Sequence, residues 1–155
     1  MRSLSWNRLG AEGAAALAPA LAANGALTKI DVSWNFFGPE GAKVFADALR
    51  VNGALTVANL LGNQLDRESA KLLAEVAKQK GISLCGIQRD QTTADFSYKG
   101  FNLPDVILLA SDLSQAVVTG ALTECNLNRN PCIGEEGEAL IRKAMQERAG
   151  FKLRI

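Results

Sequence analysis

Short stretches of alternating apolar and polar residues recur along the chain, each followed by a longer stretch with helical spacing. Ile30 and Val32, Ala58 and Leu60, and Cys125 and Leu127 flank single polar residues. That period of two gives a short strand with one buried face. After each of these stretches come apolar pairs at i, i+4: Leu17 and Leu21, Phe45 and Leu49, Leu72 and Val76, Leu109 and Leu113, Ile141 and Met145. Each pair predicts a helix that buries one stripe. A strand and a helix of this size cannot bury their own apolar surface, so neighbouring units must stack.

The stacking unit is visible as a repeat. Leu4-Ser5-Trp6-Asn7-Arg8-Leu9-Gly10 aligns with Val32-Ser33-Trp34-Asn35-Phe36-Phe37-Gly38, and Asn7, Asn35 and Asn63 recur every 28 residues. Asn24-Gly25, Asn52-Gly53 and Lys80-Gly81 keep the same interval. Further on, Leu122 to Asn130 matches Leu27 to Asn35, and Gly134 and Gly137 repeat the glycine pair that follows. Each unit reads L-x-x-L-x-L-x-x-N-x-L-G, then a helix, then a link. This resembles the leucine-rich repeat in its long, ribonuclease-inhibitor-type form, which also occurs in intracellular NLR receptors. The resemblance covers nearly the whole chain. It implies an α/β leucine-rich repeat solenoid, with parallel strands on the concave side and helices on the convex side, and a protein partner held on the concave face and its rims.

Several local features have their own physical reading. An asparagine at the end of every strand, at Asn7, Asn35, Asn63 and Asn130, predicts a ladder that bonds backbone groups of adjacent turns otherwise buried without partners. The apolar residues Leu9 and Phe37 lead into Gly10 and Gly38, glycines suited to a turn with positive φ, and Pro39 fits a first helical turn. The glycines at 25, 53, 81, 120 and 150 are expected just past helix ends.

The period is interrupted once. Gln91 stands where the next asparagine is due, and the nearest match, Ala94 to Phe101, places Lys99 in that column. Residues 88 to 93 are too few for a crossover between parallel strands, so 82 to 87 and 94 to 97 cannot both be ordinary neighbours in one sheet. Residues 94 to 97 are expected as the strand, and 82 to 87 as an extended connection or a hairpin arm. The sequence thus predicts one domain over 1–155, of about five repeats, with an irregular insertion near 82–93. It starts inside a strand with no polar cap before it, which predicts a truncation at Met1 and more repeats upstream, and it ends in a strand blunted by Lys152 and Arg154.

Composition narrows the chemistry. Histidine is absent, which removes Ser-His-Asp, Cys-His and HExxH schemes. Cys85, Cys125 and Cys132 show no CxxC spacing, so they predict buried thiols rather than a metal or redox site, with Cys132 exposed if the Pro131-Cys132 insertion bulges outward. A formal net charge of +1 and no basic stripe argue against a nucleic-acid partner. No apolar run reaches a membrane span's length. A cytoplasmic protein without cofactor, metal or small-molecule substrate is expected.

Function is expected on the outward columns. These hold Asp31, Asn59, Asp95 and Asn126; then Ser5, Ser33, Leu61, Ser97 and Asn128; then Trp6, Trp34, Gly62, Tyr98 and Arg129. Trp, Tyr and Arg are the residue types enriched in binding hot spots. The candidate partner-binding residues are therefore Trp6, Trp34, Tyr98, Arg129, Asp31 and Asp95, in a non-catalytic scaffold. Trp6 and Trp34 are equally explained as a stack that stabilises the first two turns. The alternative function is regulation of an enzyme, as in the Ran GTPase-activating protein, with a surface arginine such as Arg8, Arg67 or Arg129 supplied in trans.

Overall fold

The computed structural model describes residues 2–155 and alternates short strands with helices. β1 (Arg2–Ser3) leads to α1 (Gly10–Ala23), β2 (Lys29–Asp31) to α2 (Gly38–Val51) and β3 (Val57–Asn59) to α3 (Arg67–Lys80). After an irregular stretch, β4 (Thr93–Asp95) leads to α4 (Leu103–Leu113) and the short α5 (Ala116–Thr119), β5 (Glu124–Asn126) to α6 (Gly134–Met145), and β6 (Lys152–Arg154) follows. Every strand pair is parallel, in two three-stranded sheets ordered β1-β2-β3 and β4-β5-β6. The result is an α/β repeat fold. Met1, where the sequence suggests a truncation, lies outside the described residues.

Ile30 pairs with Ala58, and Cys125 with Leu153, so the alternating apolar residues fall into continuous inward columns. Ile30, Val32, Ala58, Leu60, Cys125 and Leu127 are all buried under the helices. Phe37, Phe45, Leu49 and Leu73 fill the space between strands and helices with at most 1% exposure. Each such side chain contributes roughly 1.5–3 kcal/mol relative to an exposed one. α1 turns the buried Ala14, Ala18 and Leu21 towards α2. The equivalent positions are Ala42, Ala46 and Leu49 in α2, then Ala70, Ala74 and Ala77 in α3, and the alanines among them let successive helices lie close. At the same positions α6 carries Glu138 and Arg142, paired with each other at 2.6 Å. The outer face of the last helix is therefore polar where earlier helices are apolar.

The turns between strand and helix depend on asparagine side chains. Asn35 Oδ1 accepts the amides of Asn7 and Leu9 in the preceding turn, at 3.0 and 3.4 Å, while its Nδ2 donates to the carbonyls of Leu4, Val32 and Ser33. Asn63 accepts in the same way from Asn35 and Phe37, and Asn130 from Lys99 and Phe101, and each donates to a carbonyl of its own turn and one of the preceding turn, so four of these polar contacts recur from turn to turn. Asn7 donates only within its own turn, to Leu4 and Ser5. A second set lies at the helix ends. Asn52 Oδ1 accepts the amides of Ala54 and Leu55, and its Nδ2 donates to Leu21 and Asn24 of the preceding turn. This alters the expectation for the closing glycines: Gly81 and Gly150 take positive φ, whereas Gly25 and Gly53 do not, because Asn24 and Asn52 organise those links instead.

The interruption takes a form that the spacing did not specify. Ser83 bonds in parallel to β3, with its amide on Thr56 O and its carbonyl accepting from Ala58, and Leu60 donates to Leu84 O. Residues 83–84 therefore extend the first sheet and are not a hairpin arm. The segment is held from the helix side by a buried carboxylate. Asp112 of α4 accepts the amides of Leu84 and Cys85, at 2.8 and 3.0 Å, and the Ser83 hydroxyl at 2.7 Å. About two turns earlier on the same helix, Asp105 accepts the Gly62 amide at 2.8 Å and closes a capping box with Asn102. These two carboxylates bond the first sheet to α4, across the place where Lys99 replaces an asparagine. Burial pushes the Asp112 carboxyl up to about 6 despite its three donors, raises Asp105, and raises the Cys85 thiol beside them.

Two outcomes follow. Asn35→Ala strands the Asn7 and Leu9 amides and removes one of the donors to the Leu4, Val32 and Ser33 carbonyls, so urea melts should show a loss on the order of 1–3 kcal/mol. Asp112 binds its proton more tightly in the fold than in the unfolded chain, so its contribution stabilises the fold as pH falls through about 6 and fades as pH rises. The stability difference between wild type and Asp112→Asn should therefore widen by about 2 kcal/mol between pH 7 and pH 4.5 in urea titrations. A gap independent of pH would mean that Asp112 is not the titrating group.

Candidate functional site

Among the described residues, seven other than glycine take positive φ, and all seven sit in two columns of the strand-to-helix turns. Trp6, Trp34, Tyr98 and Arg129 form the first column, with φ between 56° and 63°, and Gly62 occupies the same column at 69°. Arg8, Phe36 and Gln64 form the second, alongside Gly100. The fifth turn carries Pro131 there, whose ring forbids the conformation, and it is the turn with the Pro131-Cys132 insertion. A side chain in this region costs roughly 1–2 kcal/mol relative to ordinary backbone. In the first, second and fourth turns the flanking amides bond to an asparagine of the following turn, which helps hold that conformation.

The first column ends in a stack. The Trp6 and Trp34 rings lie 4.7 Å apart with planes 6° from parallel. On the other side Trp34 lies against Gly62, where an added Cβ would come within 2.4 Å of the ring. Both faces of Trp34 are thus covered, while Trp6 is 70% exposed with one face open. Tyr98 is 75% exposed. Together with Ser97, Asn126, Asn128, Arg129 and Ile155 it lines an open hollow of about 420 Å³.

Asp31 and Asp95 lie one column deeper, and each carboxylate turns back on its own turn. Asp31 Oδ1 accepts the Ser33 amide and hydroxyl at 3.0 and 2.7 Å, and Asp95 Oδ1 accepts the Ser97 amide at 2.9 Å. Ser97 holds the Asp95 carboxyl below its ordinary range. Asn59 and Asn126 make the same bond to the amide two residues on, so this column is a series of Asx turns. The spacing of Asp31, Asn59, Asp95 and Asn126 in the sequence carries that signal.

The sequence-predicted residues fall into two groups on separate sheets: Trp6, Trp34 and Asp31 on the first, Tyr98, Asp95 and Arg129 on the second. Between them the outward surface of β3 is covered. Leu61 and Ser33, expected to face solvent, are 4% exposed, and Val57 is 1% exposed although its column neighbour Lys29 is half-buried. Gly86 packs on the Asn59 side chain and Gln88 accepts from Lys29, so the inserted segment lies across the strands and divides the surface. Sequence reasoning missed Phe36 and Gln64; glycine at the equivalent position 100 was the available signal. Arg67 is tied to Glu136 at 2.8 Å, unlike Arg8 and Arg129.

Cys85 and Cys125 are buried and Cys132 is exposed, all three as free thiols. Among the described residues no cluster of His, Cys, Asp and Glu has the arrangement of a metal site, and no helix is long and apolar enough to cross a membrane.

Residues 3–18 and 26–46 match the family model for the Leucine Rich repeat. These two segments are similar to the leucine-rich repeat. Comparison with curated proteins gives no match. Leucine-rich repeat domains generally mediate protein–protein interaction and are typically non-enzymatic, and the two matched segments include Trp6 and Trp34 with their turns.

The stack and the strained column yield separate outcomes. Gly62→Ala should displace the Trp34 ring and destabilise the fold on the order of 1–3 kcal/mol, with a shift in tryptophan fluorescence. Tyr98→Gly should leave stability unchanged or raise it by up to about 1 kcal/mol in thermal melts, because glycine relieves the turn, while Tyr98→Ala gives no such gain.

Proposed function

We propose that this chain is a non-catalytic protein-binding scaffold: a single leucine-rich repeat solenoid of the ribonuclease-inhibitor-like, NLR-like kind, whose partner sits on the concave strand face and its turn rim. Trp6, Trp34, Tyr98 and Arg129 are the contact residues, with Asp31 and Asp95 setting the turns beneath them. One observation carries this reading. Glycine suits the left-handed column best, as Gly62 shows, yet the column otherwise holds two tryptophans, a tyrosine and an arginine. The stack gives Trp6 and Trp34 a role in folding, but no such packing accounts for Tyr98 and Arg129 at positions that strain the backbone, and such strain clusters at ligand-binding surfaces. Trp6 and Tyr98 are also largely exposed, so core packing does not account for them. Three free thiols fit a reducing compartment, and the cytoplasm is the proposed location.

The division of the surface by residues 83–88 adds a constraint. A partner that reaches both groups must pass along the rim formed by the turns or straddle the inserted segment, and does not lie flat in an unbroken trough.

The test is affinity capture with wild type against a Trp6→Ala, Tyr98→Ala double variant. Proteins lost from the variant are candidate partners, and their purified complexes should weaken by roughly 2 kcal/mol or more, the hot-spot range, with no change in melting temperature. A partner that binds wild type and variant equally would remove the turn column from the interface.

A further inference from the structure

Six of the nine arginines are engaged within the fold. Arg50, Arg67, Arg142 and Arg154 pair with carboxylates, and Arg89 and Arg148 donate to backbone carbonyls. Among the described residues, three have no such partner: Arg2, the first of them, and Arg8 and Arg129. Arg8 and Arg129 both stand in the left-handed turn columns, two residues past Trp6 and one past Asn128 respectively. The carboxylates on the same face are already committed. Asp31 and Asp95 bond their own turns, and Glu124 pairs with Arg154 at 2.7 Å. The turn face therefore offers guanidinium groups that no carboxylate side chain among the described residues pairs with, next to exposed aromatic rings.

From this we infer that the surface docks an acidic segment of a protein partner, whose carboxylates pair with Arg8 and Arg129 while apolar or aromatic groups cover Trp6 and Tyr98. The inference rests on the binding role proposed above and adds the chemistry of the partner. Arginine suits that role because its planar fork meets a carboxylate with two parallel hydrogen bonds. Such complementarity also selects against basic partners.

A nucleic acid fits less well. A phosphate backbone asks for cations at successive steps, but Asp31 and Asp95 interrupt them. Bases need free aromatic faces, and the Trp6–Trp34 stack, backed by Gly62, leaves open only the outer face of Trp6.

The experiment uses fluorescence anisotropy with three labelled probes: an alternating Glu-Tyr peptide, the matching Lys-Tyr peptide and an oligothymidylate. The full chain should bind the Glu-Tyr peptide, with affinity falling as salt rises, and bind the other two at least about tenfold more weakly. The double variant Arg8→Gly, Arg129→Gly should lose about tenfold or more for the Glu-Tyr peptide. Glycine is the residue these turns accept without strain, so an unchanged or raised melting temperature shows that the fold is kept. No binding of the Glu-Tyr peptide, equal binding of the Lys-Tyr peptide, tighter binding of the oligothymidylate, or an unaffected glycine variant would each overturn the inference. A captured partner that depends on Trp6 and Tyr98 but not on Arg8 and Arg129 would overturn the acidic-segment inference while leaving the scaffold reading in place.

Discussion

The structure depends on one recurring contact, the side-chain carbonyl of an asparagine that accepts two backbone amides from the turn before it. Each strand here is only two or three residues long, so strand pairing alone leaves the strand-to-helix turns without partners. Asn35, Asn63 and Asn130 supply them. The amide nitrogens of the same residues donate back to carbonyls of their own and the preceding turn, so each turn is fixed relative to its neighbour at one buried point. With the backbone secured in this way, residues other than proline on either side can be held in left-handed conformations. That is how a tryptophan, a tyrosine and an arginine come to occupy positions where glycine is the natural choice.

Where the asparagine is missing, the fold changes its means of attachment. Lys99 cannot accept the turn amides of the third unit, and the sheet divides there. Two carboxylates on α4 take over: Asp105 on the turn of the third unit, and Asp112 on the extra segment at 83–85. Both are almost fully buried, and both are pushed above the usual carboxylate range by that burial. The first sheet is thus joined to the second half through buried carboxyl groups that keep their protons to higher pH than usual, a joint of different character from the neutral asparagine contacts on either side. The same segment also covers the outward side of β3, so the irregularity that closes the seam divides the outward face.

Much of this was legible in the sequence, because periodicity encodes what repeats. The recurrence of Asn7, Asn35 and Asn63 gave the unit, and the alternation of Ile30 with Val32 or Cys125 with Leu127 gave the buried strand face. The Trp6 and Trp34 column could be located, as could the position of the break. Three things were not legible. The left-handed geometry of the turn columns follows from hydrogen bonds between turns, which tryptophan and arginine do not announce. Asp105 and Asp112 occur once each, inside a helix whose apolar pairs explain it without them. The path of residues 83–88 is set by a parallel pairing with β3 that spans about one repeat, and nothing within that stretch distinguishes a strand continuation from a hairpin arm.

Amide hydrogen exchange followed by NMR tests the central contact most directly. The Asn35 and Phe37 amides, which the Asn63 side chain accepts, should exchange as slowly as the core strand amide of Val32, opening only when the whole array unfolds. If they exchange as fast as the amide of the exposed Gln64, the asparagine carbonyls do not hold the turns, and the fold takes its order from elsewhere.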